Sequence, residues 1–253
     1  MTVSELYAFL NEKIPPSLSC EWDNDGLMCC PDPDREVRRV LVCLDATAQM
    51  VEKAINEKFD VILTHHPLVF HKLPALEPSI PVAQKLIDLC RAGIAVMSFH
   101  TRLDALDGGV NDTLAALLGL GEVAPFGEEG IGRIGTLKNE LTLEEFAALV
   151  KEKLGCPAVI CASGEKPVRR VAVLGGNGSD DVSFAAAAGA DTYLSGEIAF
   201  HHLSDAPENG MNLVVAGHYY TEAPICRVLS EFVKAADDTA QTEIAVSNIT
   251  VTY

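Results

Sequence analysis

The chain has 253 residues, 48% hydrophobic and 22% charged, with a net charge of −17. That is apolar content enough for one large or two modest cores, and the acidic balance argues against nucleic acid or an anionic membrane as main partner, since both need a basic footprint. No apolar run reaches the roughly 18 residues of a membrane span, residues 1–5 lack the basic start of a signal peptide, and the eight cysteines show no CxxC spacing, which together point to a reducing cytoplasm.

Thr2 with Glu5 three residues on is a capping-box pattern, and it opens a helix striped by Leu6, Phe9, Leu10 and Ile14 that Pro15-Pro16 ends. A polar turn over 20–27 surrounds Trp22. Then come a strand over 38–44, an amphipathic helix over 47–58, and the apolar strand Val61-Ile62-Leu63-Thr64 running into His65-His66-Pro67. A loop passes through His71, a helix covers 82–92, and a second strand from Ile94 to Phe99 runs into His100-Thr101-Arg102-Leu103-Asp104. Asp107-Gly108-Gly109-Val110-Asn111 turns into a helix that ends near Leu118. Residues 119–140, rich in Gly and Glu, read as a connection. Their Gly130-Ile131-Gly132-Arg133-Ile134-Gly135 has the form GxGxxG, but such a run binds dinucleotides only between a strand and a helix; no strand is expected before it, and an extended run is expected after it.

From Thr142 the pattern starts over. Thr142–Glu145 repeats the capped helix start, and Val168-Arg169-Arg170-Val171 repeats Val37-Arg38-Arg39-Val40. An offset of 131 from Val37 to Thr64 matches nine of 28 residues, among them Asp60 with Asp191. It sets Thr64-His65-His66 against Ser195-Gly196-Glu197, and a shorter offset of 118 sets His100 and Asp104 against His218 and Glu222. The expected fold is therefore α/β, two duplicated α/β-sandwich halves (1–125 and 136–253, connected by 119–140) facing a shared metal cleft.

In α/β sheets ligands gather beyond the carboxyl ends of strands, and here three apolar strands end in histidine, two of them adding a carboxylate four residues on. His218 and Glu222 share one helix face if a helix begins at once. An all-N/O set of this kind suits zinc, iron, manganese or nickel, and five such ligands exceed what one tetrahedral ion needs, so a pair of metals with a bridging carboxylate is the economical reading. Thr64 and His100 are expected to hold ligands by hydrogen bonds, His100 being equally open as a ligand or a packing residue. Glu197 and His201 are candidates for proton transfer, whereas His71 and His202 read as ordinary surface histidines. Gly176, Gly178 and Ser179, after a strand and before a helical stretch, are candidates to hold a substrate phosphate.

Taken together, Glu21-Trp22-Asp23-Asn24, Thr64-His65-His66-Pro67, His100-Thr101-x-Leu103-Asp104, Gly108-Gly109-Val110-Asn111, Gly175-Gly176-x-Gly178-Ser179, Ser195-Gly196-Glu197 and Gly217-His218-Tyr219-x-Thr221-Glu222 resemble the Nif-three-like dinuclear-metal proteins, often labelled GTP cyclohydrolase I type 2 homologues. The resemblance implies two divalent ions held by His65, His66, Asp104, His218 and Glu222, with Glu222 bridging, in a ring-shaped homohexamer acting on a small molecule. It implies hydrolysis of a nucleotide or similar heterocycle, with a phosphoesterase or a non-catalytic metal-binding scaffold as the alternatives.

Overall fold

The computed structural model describes residues 1–250. It is a mixed α/β protein with two sheets, and the chain divides into two compact units: Met1–Leu103 with Ile225–Thr250, and Asp104–Pro224.

The first unit holds helix α1 (Val3–Lys13), strand β1 (Gly26–Cys29), β2 (Arg39–Cys43), α2 (Ala48–Asn56), β3 (Val61–Thr64), α3 (Pro81–Ala92) and β4 (Ala95–Ser98). Thr2 and Glu5 close the expected capping box on α1, and Thr47 caps α2. The sheet order is β1-β4-β3-β2-β11, where β11 is Gln241–Ile244 from the chain's far end. β2, β3, β4 and β11 run parallel, and β1 closes one edge antiparallel to β4. β3 and β4 are buried at every position, as parallel strands covered on both faces must be. On one face α2 and α3 pack Met50, Val51, Ala54 and Leu89 on Leu41, Ile62 and Val96, each fully buried aliphatic contributing about 1.5–3 kcal/mol. On β2 and β11 packs α10 (Ile225–Ala236), which also meets α1.

The second unit repeats this order. Helix α4 (Thr101–Ala105) crosses the unit boundary and leads to α5 (Val110–Leu117), then β5 (Gly121–Phe126), β6 (Gly132–Leu141), α6 (Leu143–Leu154), β7 (Ile160–Ala162), β8 (Val168–Asn177), α7 (Val182–Ala187), β9 (Thr192–Glu197), α8 (Phe200–Glu208), β10 (Asn212–Val215) and α9 (His218–Glu222). The sheet is β5-β6-β8-β9-β10-β7. β8, β9 and β10 are parallel and β7 lies antiparallel on β10, as β1 does on β4. One face carries α5 and α6 over Val171, Val173, Leu194 and Val214. The other face is covered by Val182, Ala185 and Ala206 over Ala172, Leu174, Tyr193 and Leu213.

The aligned aspartates do the same job in both units. Asp60 accepts from the backbone N–H of Arg38 and Arg39 at 2.9 and 3.0 Å, and Asp191 from Arg169 and Arg170 at 3.1 and 2.7 Å. Each stitches the entrance of one strand to its neighbour, which is why the Arg-Arg pair and the aspartate recur at one spacing.

One sequence expectation differs from the fold. The stretch 119–140 is a hairpin, β5 with β6, and β6 pairs antiparallel with β8. A strand thus does precede the GxGxxG run, but the run itself enters β6 and no helix follows. Its glycines serve close packing: a Cβ on Gly132 would meet the Phe126 ring, and one on Gly135 would lie 2.9 Å from the Gly121 carbonyl. Within the compact units α5 packs on β6 and β8, and α10 on β2 and β11. Of the eight cysteines, Cys29, Cys43, Cys156 and Cys226 are buried, and Cys90 and Cys161 are exposed.

Candidate metal centre

In the first unit, β3 and β4 deliver three histidines to one place. His65, fully buried, follows β3; His66 is next; His100 lies two residues beyond β4. Their rings lie 5.0, 5.2 and 5.8 Å apart centre to centre, and each offers a nitrogen within 4.8 Å of the others. Every Nδ1 is held by an oxygen: His65 by the Phe99 carbonyl at 2.9 Å, His66 by Asp45 at 2.7 Å, His100 by Asp23 at 2.9 Å. A carbonyl can only accept, so the His65 proton sits on Nδ1 and Nε2 carries the lone pair. The carboxylates impose the same tautomer on His66 and His100. Neutral imidazoles whose far nitrogens are fixed by oxygen acceptors are the usual form of metal-binding histidine. Burial would raise the Asp23 carboxyl, but hydrogen bonds from His100 and Thr101 outweigh it and hold it well below the usual carboxylate range. Thr64, expected to support the ligands, donates its hydroxyl to the His66 carbonyl at 2.8 Å and meets Ser98 Oγ at 2.7 Å, so it fixes the backbone of the pair.

In the second unit, α9 begins directly after β10, as the spacing of His218 and Glu222 requires. His218 Nδ1 lies 2.9 Å from Glu197 Oε1, and its Nε2 lies 3.1 Å from Glu222 Oε2. A neutral ring has one N–H for these two carboxylate contacts. The other contact sets a lone pair against an anion, and only a proton or a bound cation reconciles them. Glu222 is 4% exposed. Gly176 makes room for it, since a Cβ there would run into Glu222 Oε1 and lie 3.2 Å from His218 Nε2. Asp104 stands on α4, and Asn111 ties that segment down by donating to the carbonyls of Asp104 (3.4 Å) and Ile131 (2.8 Å) while accepting from Gly175 N–H at 2.8 Å. The donor sets in both units fit a divalent cation.

The other residues singled out from sequence fall as follows. Glu197 is tied to His218. His201 is exposed on α8 with its ring 4.0 Å from that of His202. The N–H groups of Gly176, Gly178 and Ser179 donate to Thr221 Oγ1, the Glu197 carbonyl and Asn177 Oδ1, so a phosphate there would compete with internal partners. Two residues were missed: Asp45 behind His66 and Asp23 behind His100. Asp45 lies two residues past β2, so the strand-end rule that found the histidines also reaches it. Arg102 is 1% exposed and donates to Asp25 at 2.9 Å, to Asn11 at 2.7 Å and to the Ile14 carbonyl at 3.1 Å.

Parallel-stranded α/β units whose strand ends present oriented histidines and a buried glutamate define a protein with candidate metal-binding groups. Residues 1–252 match the model of the Duf34/NIF3 (NGG1p interacting factor 3) family. The chain belongs to that family. It is 32% identical over 241 residues to the GTP cyclohydrolase 1 type 2 homolog of Clostridium perfringens, covering 92% of each chain. It is 34% identical over 238 residues to the homolog so named in Nostoc, covering 91% of this chain and 90% of that one. Among solved structures it is similar to Staphylococcus aureus protein SA1388 (TM-score 0.89, 26% identity, 100% and 99% covered) and to reduced HcgD from Methanocaldococcus jannaschii (TM-score 0.86, 30% identity, 98% of each chain). Among the described residues no helix is long and apolar enough to cross a membrane.

Proposed function

We propose that this protein binds two divalent metal ions per chain through His65, His66, Asp104, His218 and Glu222, and hydrolyses a nucleotide or similar small heterocycle. The observation that carries the reading is the orientation of the histidines: His65, His66 and His218 each have Nδ1 held by an oxygen, so each presents Nε2. Divalent ions there would lower the pKa of bound water and polarise a substrate. The chain's own part is to aim ligands and move protons. Asp45 fixes His66, Glu197 fixes His218, and Gly176 admits Glu222. Glu197 and His201 are the proposed proton carriers; Glu197, beside His218, has the shorter reach. GTP ring opening is the named candidate, because the curated relatives carry that name. A homohexamer in the cytoplasm, with zinc, iron, manganese or nickel as the ion, belongs to the same proposal.

Metal analysis of wild type, His65→Ala and Glu222→Ala tests the centre. About two ions per chain are expected in wild type and a clear loss in both variants; unchanged content in both removes the assignment. Incubation of metal-loaded protein with GTP, followed by loss of guanine absorbance, tests the reaction. Equal turnover by Glu222→Ala, or none with any of the four metals, removes GTP ring opening while leaving the metal site standing, with a phosphoesterase or a metal-binding scaffold as the other readings.

A further inference from the structure

The loop before β1 carries Trp22, the only tryptophan of the chain and 60% exposed, and the loop after β3 carries Phe70, 42% exposed. Neither ring serves a core. Both instead border His100, with ring centres 6.3 Å (Trp22) and 5.9 Å (Phe70) from the imidazole and 6.3 Å from each other. The planes meet at 77°, 79° and 88°, so the three rings stand edge to face around a corner. The corner is rigid. Asp23, next to Trp22, accepts from His100 Nδ1, Thr101 N–H and the Thr101 hydroxyl with its own side chain fully buried. Asn24 donates to the Val69 carbonyl, one residue before Phe70. The loops bearing the two aromatics are therefore fastened to each other and to a histidine of the cluster.

Large apolar rings held rigid and wet beside a cluster of chemically able side chains are a binding feature, because their hydration is released only when something covers them. The geometry selects what covers them. The two faces border an imidazole of the histidine cluster, whose ring nitrogens can hydrogen-bond the edge of a flat heterocycle and give nothing to a round quaternary ammonium. A flat ring can lie on one face with its edge toward His100. We infer that Trp22 and Phe70 form a stacking platform for a planar nitrogen heterocycle, purine or pterin in size, delivered beside His65, His66 and His100. The inference deepens the proposed function by assigning the residues that would recognise the heterocycle, and it rests on that reading for the site's purpose.

The single tryptophan makes the test direct. Chelator-treated and metal-loaded protein are titrated with GMP, with a free pterin, and with ribose 5-phosphate as a control lacking the ring. Saturable quenching of Trp22 fluorescence by GMP or pterin, and none by ribose 5-phosphate, is expected. Phe70→Ala should weaken the quenching ligand about 5- to 150-fold, the range of one lost stacking contact. Calorimetry should show that Trp22→Phe keeps binding and Trp22→Ala weakens it similarly. Both side chains are exposed, so circular dichroism of the variants should match wild type. Quenching by neither ring compound, or an unchanged Kd in Phe70→Ala, overturns the platform. So does a lower assembly mass by light scattering in Phe70→Ala with ring binding intact, which would make the patch a contact between copies. Ring binding by chelated protein without turnover of GTP by loaded protein would keep the platform while removing the hydrolase reading.

Discussion

The two units are built alike and finished differently. Each is built round three parallel strands (β2, β3 and β4; β8, β9 and β10) with an antiparallel strand closing that edge and helices on both faces, and each stitches its strand entrances with one aspartate. At the carboxyl ends the likeness stops. β3 runs into two histidines where β9 ends in Gly196-Glu197, and the histidine after β4 leans on Asp23 where the one after β10 leans on Glu197. Duplication has preserved what burial demands and released what it does not. The strand interiors have little choice of residue, whereas the strand ends are free to become imidazole in one unit and carboxylate in the other.

The buried arginines give the sharpest contrast. Arg102 in the first unit pairs with Asp25, the two side chains 1% and 7% exposed. Arg133 in the second reaches Asp112, which is 26% exposed. Removing one partner of a buried pair strands the other charge, so Arg102→Met should cost about 3–5 kcal/mol in denaturant unfolding. Arg133→Met should cost less, since water reaches its carboxylate; equal losses would show that the units respond alike. Next come the residues behind the histidines. Asp45→Asn should weaken metal binding roughly 10- to 100-fold in competition with a chelator. Glu197→Gln should sit at or below the low end of that range, because its side chain is 57% exposed against 30% for Asp45. The smallest difference concerns the stitches. Asp60→Ala leaves two backbone donors and Arg35 without their carboxylate and should cost about 2–4 kcal/mol. Asp191→Ala exposes its donors to water and should cost about 1 kcal/mol. Thermal unfolding of the pair checks the order.

These contrasts also mark what was legible in the sequence. β3, β4 and β10 declare themselves because strands buried on both faces read as unbroken apolar runs, and the histidines stand out at their ends. The capped helices α1 and α6 declare themselves through Thr and Glu three apart. β5 and β6 do not: Gly132 and Gly135, needed where chains approach closely, remove the side chains that would show alternation. β1 and β7 are short edge strands among polar residues. Asp23 and Asp45 look like solvated turn residues, because a carboxylate's partner is set by the fold and not by its neighbours in the chain. The placement of α10 was beyond reach for a related reason, as nothing in an amphipathic helix says which of two similar sheets it will cover.

That placement has a consequence for how the protein is made. The first unit is interrupted: its sheet is complete only when β11 joins β2, and its face only when α10 covers it. A ribosome adding residues in order releases the second unit's strands well before those pieces exist, so the first unit must wait with β2 as an open edge while its neighbour closes. Late, long-range closure of this kind is slow, and a chain halted after Pro224 would keep all the first unit's histidines yet lack the cover that makes their scaffold a folded body.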